Sequence, residues 1–264
     1  MKMWIWLISI FFGLIVVFLV IVYLLQEKLI FFPEKVPENY QYSFSQPFKE
    51  VYLTSPDKAR LHALYFIQDN PKGAILYFHG NAGSLRSWGY VAEDLMRYGY
   101  NVLIMDYQGF GKSTGKLSQK ALFEDAELMY KYLLNYFPEQ KLVVFGRSLG
   151  TGIAVKVAAD NKPGLLLLET PFYNFADVAK AHYSFLPISL LLRYPFRSDK
   201  YLPQVSCPVY IFHGTADEIV PYASGLKLAN LLNQPGGLIT VEGGGHNNLE
   251  GFAVYQQALK RILE

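Results

Sequence analysis

Five short segments of this chain are apolar without interruption, Ala74–Phe78, Val102–Met105, Leu142–Phe145, Leu165–Leu168 and Val209–Phe212, and a sixth, Gly237–Val241, is broken only by Thr240. A strand with one wet face alternates apolar and polar residues, whereas a run with no alternation must be buried on both faces. Only a sheet covered by helices on both sides buries strands in that way, so these runs predict an α/β domain with a mostly parallel central sheet flanked by helices. Helix-like stretches lie between the runs, such as the small-residue segment Thr151–Ala159, which can sit close against a sheet. Val51–Thr54 and Leu61–Phe66, separated by Ser55-Pro56-Asp57, read as an antiparallel pair opening the domain. With 264 residues, 52% of them hydrophobic, the chain can fill one such domain and a small appendage, but not two domains.

The appendage is at the N-terminus. Met3 to Leu25 holds no charged side chain, and at about 1.5 Å per residue it exceeds a hydrocarbon core of roughly 30 Å. A cleaved signal would have a shorter apolar region followed by small residues, and Leu24-Leu25-Gln26-Glu27 offers no such site. A helix apolar on every side is also hard to wrap inside so small a protein. Residues 1–28 are therefore expected to form a single-pass membrane anchor, with Trp4, Trp6 and Tyr23 near its two ends, where amphipathic rings are favoured. Lys2 on one side against Lys28 and Lys35 on the other leaves little positive-inside bias; the expectation is a non-cytoplasmic domain. Pro33 and Pro37 punctuate 29–39 as a linker, and the soluble domain spans 40–264. Within it, 170–203 is an insertion, expected to be a small cap on the sheet, with a lid lining an acyl-chain pocket or touching the bilayer as the alternative.

The chemistry concentrates at the ends of three of the apolar runs. Gly146-Arg147-Ser148-Leu149-Gly150 directly follows Leu142–Phe145. A serine turned sharply out of a strand end needs glycine two positions before and after it, where side chains would obstruct the turn. A serine hydroxyl is a poor nucleophile near neutral pH and needs a base, itself held in the right tautomer by an acid. Of the five histidines, His246 in Gly243-Gly244-Gly245-His246 lies in a flexible turn before the last helix and is the best base. His79 and His213 each precede a glycine after a strand and read as loop-holding residues, and His62 and His182 have no supporting motif. Asp217 follows the Val209–Phe212 run and is the expected acid; Glu169 also ends a strand and reads as a structural acceptor. Oxyanion donors are expected from the backbone N–H groups of Leu149 and of Asn81 in His79-Gly80-Asn81-Ala82-Gly83.

Other chemistries are set aside. Net charge is +2, from 24 basic and 22 acidic residues without a basic block, which argues against nucleic acid. Gly111-Lys112-Ser113 would end a phosphate loop only if Asp106 were glycine, and Thr114 breaks the dinucleotide fingerprint begun by Gly109 and Gly111. The lone Cys207 reads as a buried core thiol, and no cluster has metal-ligand spacing. No cofactor is required.

The chain resembles the α/β-hydrolase superfamily, and within it the single-pass, membrane-anchored α/β-hydrolase domain-containing proteins. The resemblance is carried by Leu29-Ile30-Phe31-Phe32-Pro33, His79–Gly83, Asp106–Ser113, Gly146–Gly150, His213–Asp217 and Gly245-His246. It implies an α/β-hydrolase fold, a triad of Ser148, Asp217 and His246, and activity on acyl esters, thioesters or lipids. One departure is Gln108, where relatives often carry arginine. The resulting expectation is a membrane-anchored serine hydrolase that cleaves carboxylic ester or thioester bonds through an acyl-enzyme. A peptidase or amidase with the same triad is one alternative, which the lack of a gating propeller disfavours, and a non-catalytic membrane scaffold is another. Nothing in the sequence addresses oligomeric state.

Overall fold

The computed structural model describes residues 2–264. It begins with α1 (Lys2–Ile30), 29 residues long, about 44 Å at 1.5 Å per residue, and apolar enough to cross a membrane. The strands that follow are β1 (Phe32–Pro33), β2 (Phe48–Thr54), β3 (Arg60–Phe66), β4 (Gly73–Phe78), β5 (Ala82–Gly83), β6 (Tyr100–Asp106), β7 (Leu142–Arg147), β8 (Leu165–Glu169), β9 (Val209–Gly214) and β10 (Gly236–Val241). Eight of them form one sheet in the order β10-β9-β8-β7-β4-β6-β3-β2. It is parallel from β10 to β6 and antiparallel at β3 and β2. The α/β expectation and the opening antiparallel pair both hold.

The helices explain why the strands are apolar throughout. On one face lie α4 (Gln119–Leu134) and α5 (Leu149–Asp160), and on the other α3 (Tyr90–Met96) and α10 (Ala253–Leu263), with α2 (Leu85–Trp88) beside α3. Along β7, Leu142 and Val144 join the core under α4 and α5, while Val143 and Phe145 join the core under α3 and α10. Successive side chains on a strand point to opposite faces, so both sets must be apolar. The 170–203 insertion carries α6 (Phe175–His182), α7 (Ile188–Leu191) and α8 (Ser198–Tyr201), and α9 (Tyr222–Ala229) follows β9. Its base is core, with Phe172 and Phe196 buried, whereas Phe185 and Leu190 at its tip are 76% and 82% exposed.

The 29–39 stretch does more than link. Phe31 and Val36 are buried, β1 pairs in parallel with β5, and the Phe31 ring lies 5.0 Å from that of Tyr194. The last turns of α1 grip the cap: Gln26 Nε2 donates to the Leu191 carbonyl at 2.9 Å, Gln26 Oε1 accepts the Arg193 N–H at 2.7 Å, and Tyr194 O–H donates to Glu27 at 2.9 Å. The prolines that suggested a linker instead shape an extended strand that crosses the domain edge.

Gln108 also has a consequence. Its amide donates to both carboxylate oxygens of Asp57 at 3.1 Å and accepts the Lys116 N–H at 2.9 Å. That leaves the buried Asp125 carboxyl on α4 with no hydrogen-bond partner. Burial, opposed in part by the nearby Gln108 amide and reinforced by the charges of Asp57 and Glu124, pushes the Asp125 carboxyl up to about 7. A folded-state value raised above the unfolded one, near 3.9, means that the stability contributed by the protonated form is full below about pH 4 and is lost as pH rises through 7. Asp125→Asn is therefore expected to stabilise the chain by about 1–3 kcal/mol at pH 8, an advantage that shrinks toward pH 4. Urea unfolding of the detergent-solubilised protein across that range checks this, and a gain that does not vary with pH contradicts it.

Candidate active site

The strand end of β7 presents Ser148 in strained backbone, with φ +52° and ψ −117°. Such a conformation is costly for a residue with a Cβ and persists only where the surroundings over-determine it. Two hydrogen bonds do so here: the Ser148 N–H donates to the Glu169 carbonyl at 2.9 Å, and Thr151 Oγ1 donates to the Ser148 carbonyl at 2.6 Å. The flanking glycines make the turn possible. A Cβ on Gly146 would stand 2.5 Å from the Gly150 oxygen, and one on Gly150 would stand 2.0 Å from the Phe78 oxygen.

The loops after β9 and β10 bring Asp217 and His246 to the same place. Ser148 Oγ lies 2.8 Å from His246 Nε2, and His246 Nδ1 lies 2.8 Å from Asp217 Oδ2. Asp217 Oδ1 accepts the backbone N–H groups of Ile219 at 2.9 Å and Val220 at 2.8 Å. Burial pushes the Asp217 carboxyl up, but the donors on His213, His246 and Val220 outweigh it and hold it well below the usual carboxylate range. An ionised Asp217 only accepts, so Nδ1 must carry the imidazole proton and Nε2 must offer its lone pair to the serine hydroxyl. That is the protonation state in which an imidazole can take a proton from the attacking oxygen.

The remaining candidates sit elsewhere. Glu169 accepts Tyr255 O–H at 2.8 Å and faces Arg147 Nε at 3.1 Å; burial pushes its carboxyl up despite Arg147. His79 Nδ1 donates to the Gly80 carbonyl at 2.7 Å, and burial pushes its ring down toward the neutral form. His213 Nε2 lies 3.0 Å from the Val220 carbonyl and 3.3 Å from Asp217. His62 and His182 contact Glu50 and the Ile219 carbonyl, each at 2.8 Å. Burial pushes the Cys207 thiol up to about 11.

Ser148 opens into a chamber of about 290 Å³ bounded by Asn81, Phe172, Phe175, Val178 and His246. Leu149 is the first residue of α5, where backbone N–H groups have no intrahelical acceptor. Asn81 is held from both ends: its Nδ2 donates to the Ile30 carbonyl at 2.7 Å, and its carbonyl accepts the Phe32 N–H at 2.9 Å. The loop beside Ser148 is thus braced by the last residue of α1.

Known proteins place the chain in context. A family model described as serine aminopeptidase, S33, matches residues 69–190. Over 224 residues the chain is 30% identical to human alpha/beta hydrolase domain-containing protein 17B, an alignment covering 81% of this chain and 75% of that one. The chain belongs to the α/β-hydrolase superfamily. A further hydrolase relative is the zebrafish lysophosphatidylserine lipase ABHD12, 34% identical over 184 residues, or 61% of this chain and 47% of that protein. The fold matches that of the Pyrococcus furiosus esterase Pf2001, with a TM-score of 0.70 at 20% identity over 89% of this chain and 95% of the esterase.

In this α/β-hydrolase the sequence reading passed over the walls of the chamber. Phe175 and Val178, with Ala179, are spaced i, i+3, i+4, the apolar stripe of a helix that faces a partner. A Ser/Thr/Asn/Asp residue just ahead of that stripe would have marked the helix start: Asn174 Oδ1 accepts the Asp177 N–H at 2.9 Å. The Asn81–Ile30 contact carries no local sequence signal.

Proposed function

We propose that this chain is a membrane-anchored serine hydrolase cleaving carboxylic ester or thioester bonds, with Ser148 as nucleophile, His246 as general base and acid, and Asp217 as the orienting acid. The observation that supports it most is the unbroken hydrogen-bonded line from Ser148 Oγ through His246 to an Asp217 carboxylate. Ser148 Oγ attacks the acyl carbon while its proton passes to His246 Nε2. The backbone N–H groups of Leu149 and Asn81 receive the developing oxyanion. Collapse breaks the bond to the alkoxide or thiolate, which leaves with the proton from His246. Water then attacks the acyl-enzyme by the same route in reverse, releasing the acid and restoring Ser148. Residues 1–28 serve as a single-pass anchor, and 40–264 as the catalytic domain, with 170–203 as its cap. We place the domain on the non-cytoplasmic face; protease added to sealed cells would then digest it.

The name of the matching family model favours a second reading, an aminopeptidase. An enzyme that trims peptides from the amino end needs an acidic group to receive the α-ammonium. Among the described residues lining the chamber no carboxylate is present, and the walls are mostly apolar, which favours acyl chains.

A fluorophosphonate probe on the full-length chain in detergent tests the nucleophile. Wild type is expected to label, and Ser148→Ala and His246→Ala are not. A folded wild type that fails to react with the probe and with every acyl ester would remove the hydrolase reading and leave a scaffold.

A further inference from the structure

A second cavity lies beside the one at Ser148, and α1 forms one of its walls. It encloses about 350 Å³ between Phe18, Val22 and Leu29 of α1 and Ala179, Phe185 and Leu191 of the cap. Asn81, Phe175 and Val178 border both cavities, so the two spaces share a wall at residues that also line the chamber at Ser148.

Most of the polar side chains around this second space are already engaged, the Tyr183 hydroxyl excepted. Gln26 is bonded to Leu191 and Arg193, Asn81 Nδ2 to Ile30, and His182 Nε2 to Ile219. No charged side chain lines it among the described residues. An occupant therefore finds mostly apolar walls, with the Tyr183 hydroxyl as the unengaged side-chain donor, a setting that water fills poorly. The space is also long. Phe18 to Leu29 spans about 16 Å of helix at 1.5 Å per residue, and Phe18 lies about 10 Å inside the apolar run that ends at Leu25. With α1 spanning the bilayer as proposed, the Phe18 end of the space would lie at the depth of the hydrocarbon, and the other end is at Asn81 and Phe175, which also line the chamber at Ser148. The exposed Phe185 at the cap tip lines the same space.

We infer that the cleft between α1 and the cap is an acyl-chain site, which takes one long chain sideways from the bilayer and sets its carbonyl at Ser148. The membrane helix is then part of the substrate pocket. The inference rests on the serine-hydrolase reading above and adds the substrate's shape and route: a bilayer-resident acyl ester or thioester with a single long chain, whether its carrier is a lipid headgroup or an S-acylated peptide.

The test uses the full-length chain in phosphatidylcholine vesicles. A hexadecyl fluorophosphonate with a diazirine at the far end of its chain is bound to Ser148 and irradiated, and the attachment point is read by peptide mass spectrometry. Crosslinks are expected on α1 between Phe18 and Leu29 or on the cap between Ala179 and Leu192. Crosslinks confined to the other side of the mouth, near Trp88 and Asn247, overturn the inference. Failure of Ser148 to react with any fluorophosphonate would instead strike the serine-hydrolase reading, and this inference with it.

Val22→Trp and Ala179→Trp fill the cleft from opposite walls, with circular dichroism and labelling by a small fluorophosphonate reporting that each is folded. The ratio of kcat/KM for palmitoyl over acetyl esters is expected to fall about tenfold or more in both, the effect of displacing two or three methylenes from an apolar wall. An unchanged ratio in both overturns the proposal. A lysophospholipid in one arm and a palmitoyl-thioester peptide in the other distinguish the carriers, and cleavage of neither by an enzyme that cleaves acetyl esters also overturns it.

Discussion

Ser148→Ala is expected to lower ester turnover by about 10⁵–10⁶-fold, to the residue left by binding and the oxyanion donors. The size follows from how the side chains are joined. Ser148 and His246 share one hydrogen bond of 2.8 Å, and in the proposed mechanism neither has chemistry to perform without the other. His246→Ala should therefore cost a similar amount, and the double variant little more than either single one, because groups that act as a unit are far from additive. Turnover of an activated aryl ester by the detergent-solubilised full chain measures all three. Turnover persisting in Ser148→Ala would mean that another nucleophile, or plain solvent attack, carries the reaction.

Asp217→Asn should cost about 10⁴-fold in kcat with little change in fold. The asparagine amide can turn an N–H toward His246 Nδ1, which then holds the lone pair and leaves the proton on Nε2, where the serine needs an acceptor. Glu169→Gln is the informative partner. Glu169 contacts Arg147 and Tyr255 and makes no hydrogen bond to His246, so its replacement should lower stability by about 1–3 kcal/mol, through a weakened buried pair, and leave turnover within about tenfold of wild type. If Glu169→Gln instead lost as much turnover as Asp217→Asn, the orienting role would have to be divided between them.

Five of the strands, β4 and β6 to β9, were legible because each had to be apolar on two faces at once, a demand that leaves a mark in a handful of residues, whereas the edge strand β10 stays half-exposed along most of its length. Their ends were less so. β6 begins at Tyr100 and ends at Asp106, beyond the apolar Val102–Met105, because its backbone pairs with Gly73 at one end and His62 at the other, while its polar Asn101 and Asp106 find Gln68, Tyr65 and the Leu85 N–H; partners so remote in sequence leave no local trace. The serine turn announced itself through Gly146 and Gly150, whose backbone crowding is a local property. The stretch at 29–39 was misleading for the opposite reason. Its prolines correctly forbid a helix, but whether extended chain hangs free or lies down depends on Tyr194 and Asn81, distant residues that a linear reading does not bring alongside.

For the bilayer substrate inferred above, the seating of α1 on the cap and on Asn81 would set the kinetics. A catalytic head on a slack tether would sample a thick layer of solvent above the membrane and could meet dissolved molecules as readily as embedded ones. Here Gln26, Glu27 and Ile30 fasten the last turns of the helix to the domain, so with α1 spanning a bilayer as proposed the serine would keep one height and one bearing relative to the lipid. The relevant concentration is then the mole fraction of substrate in the surface. Adding inert lipid at a constant bulk amount of substrate should slow the enzyme, although nothing in the surrounding water has changed.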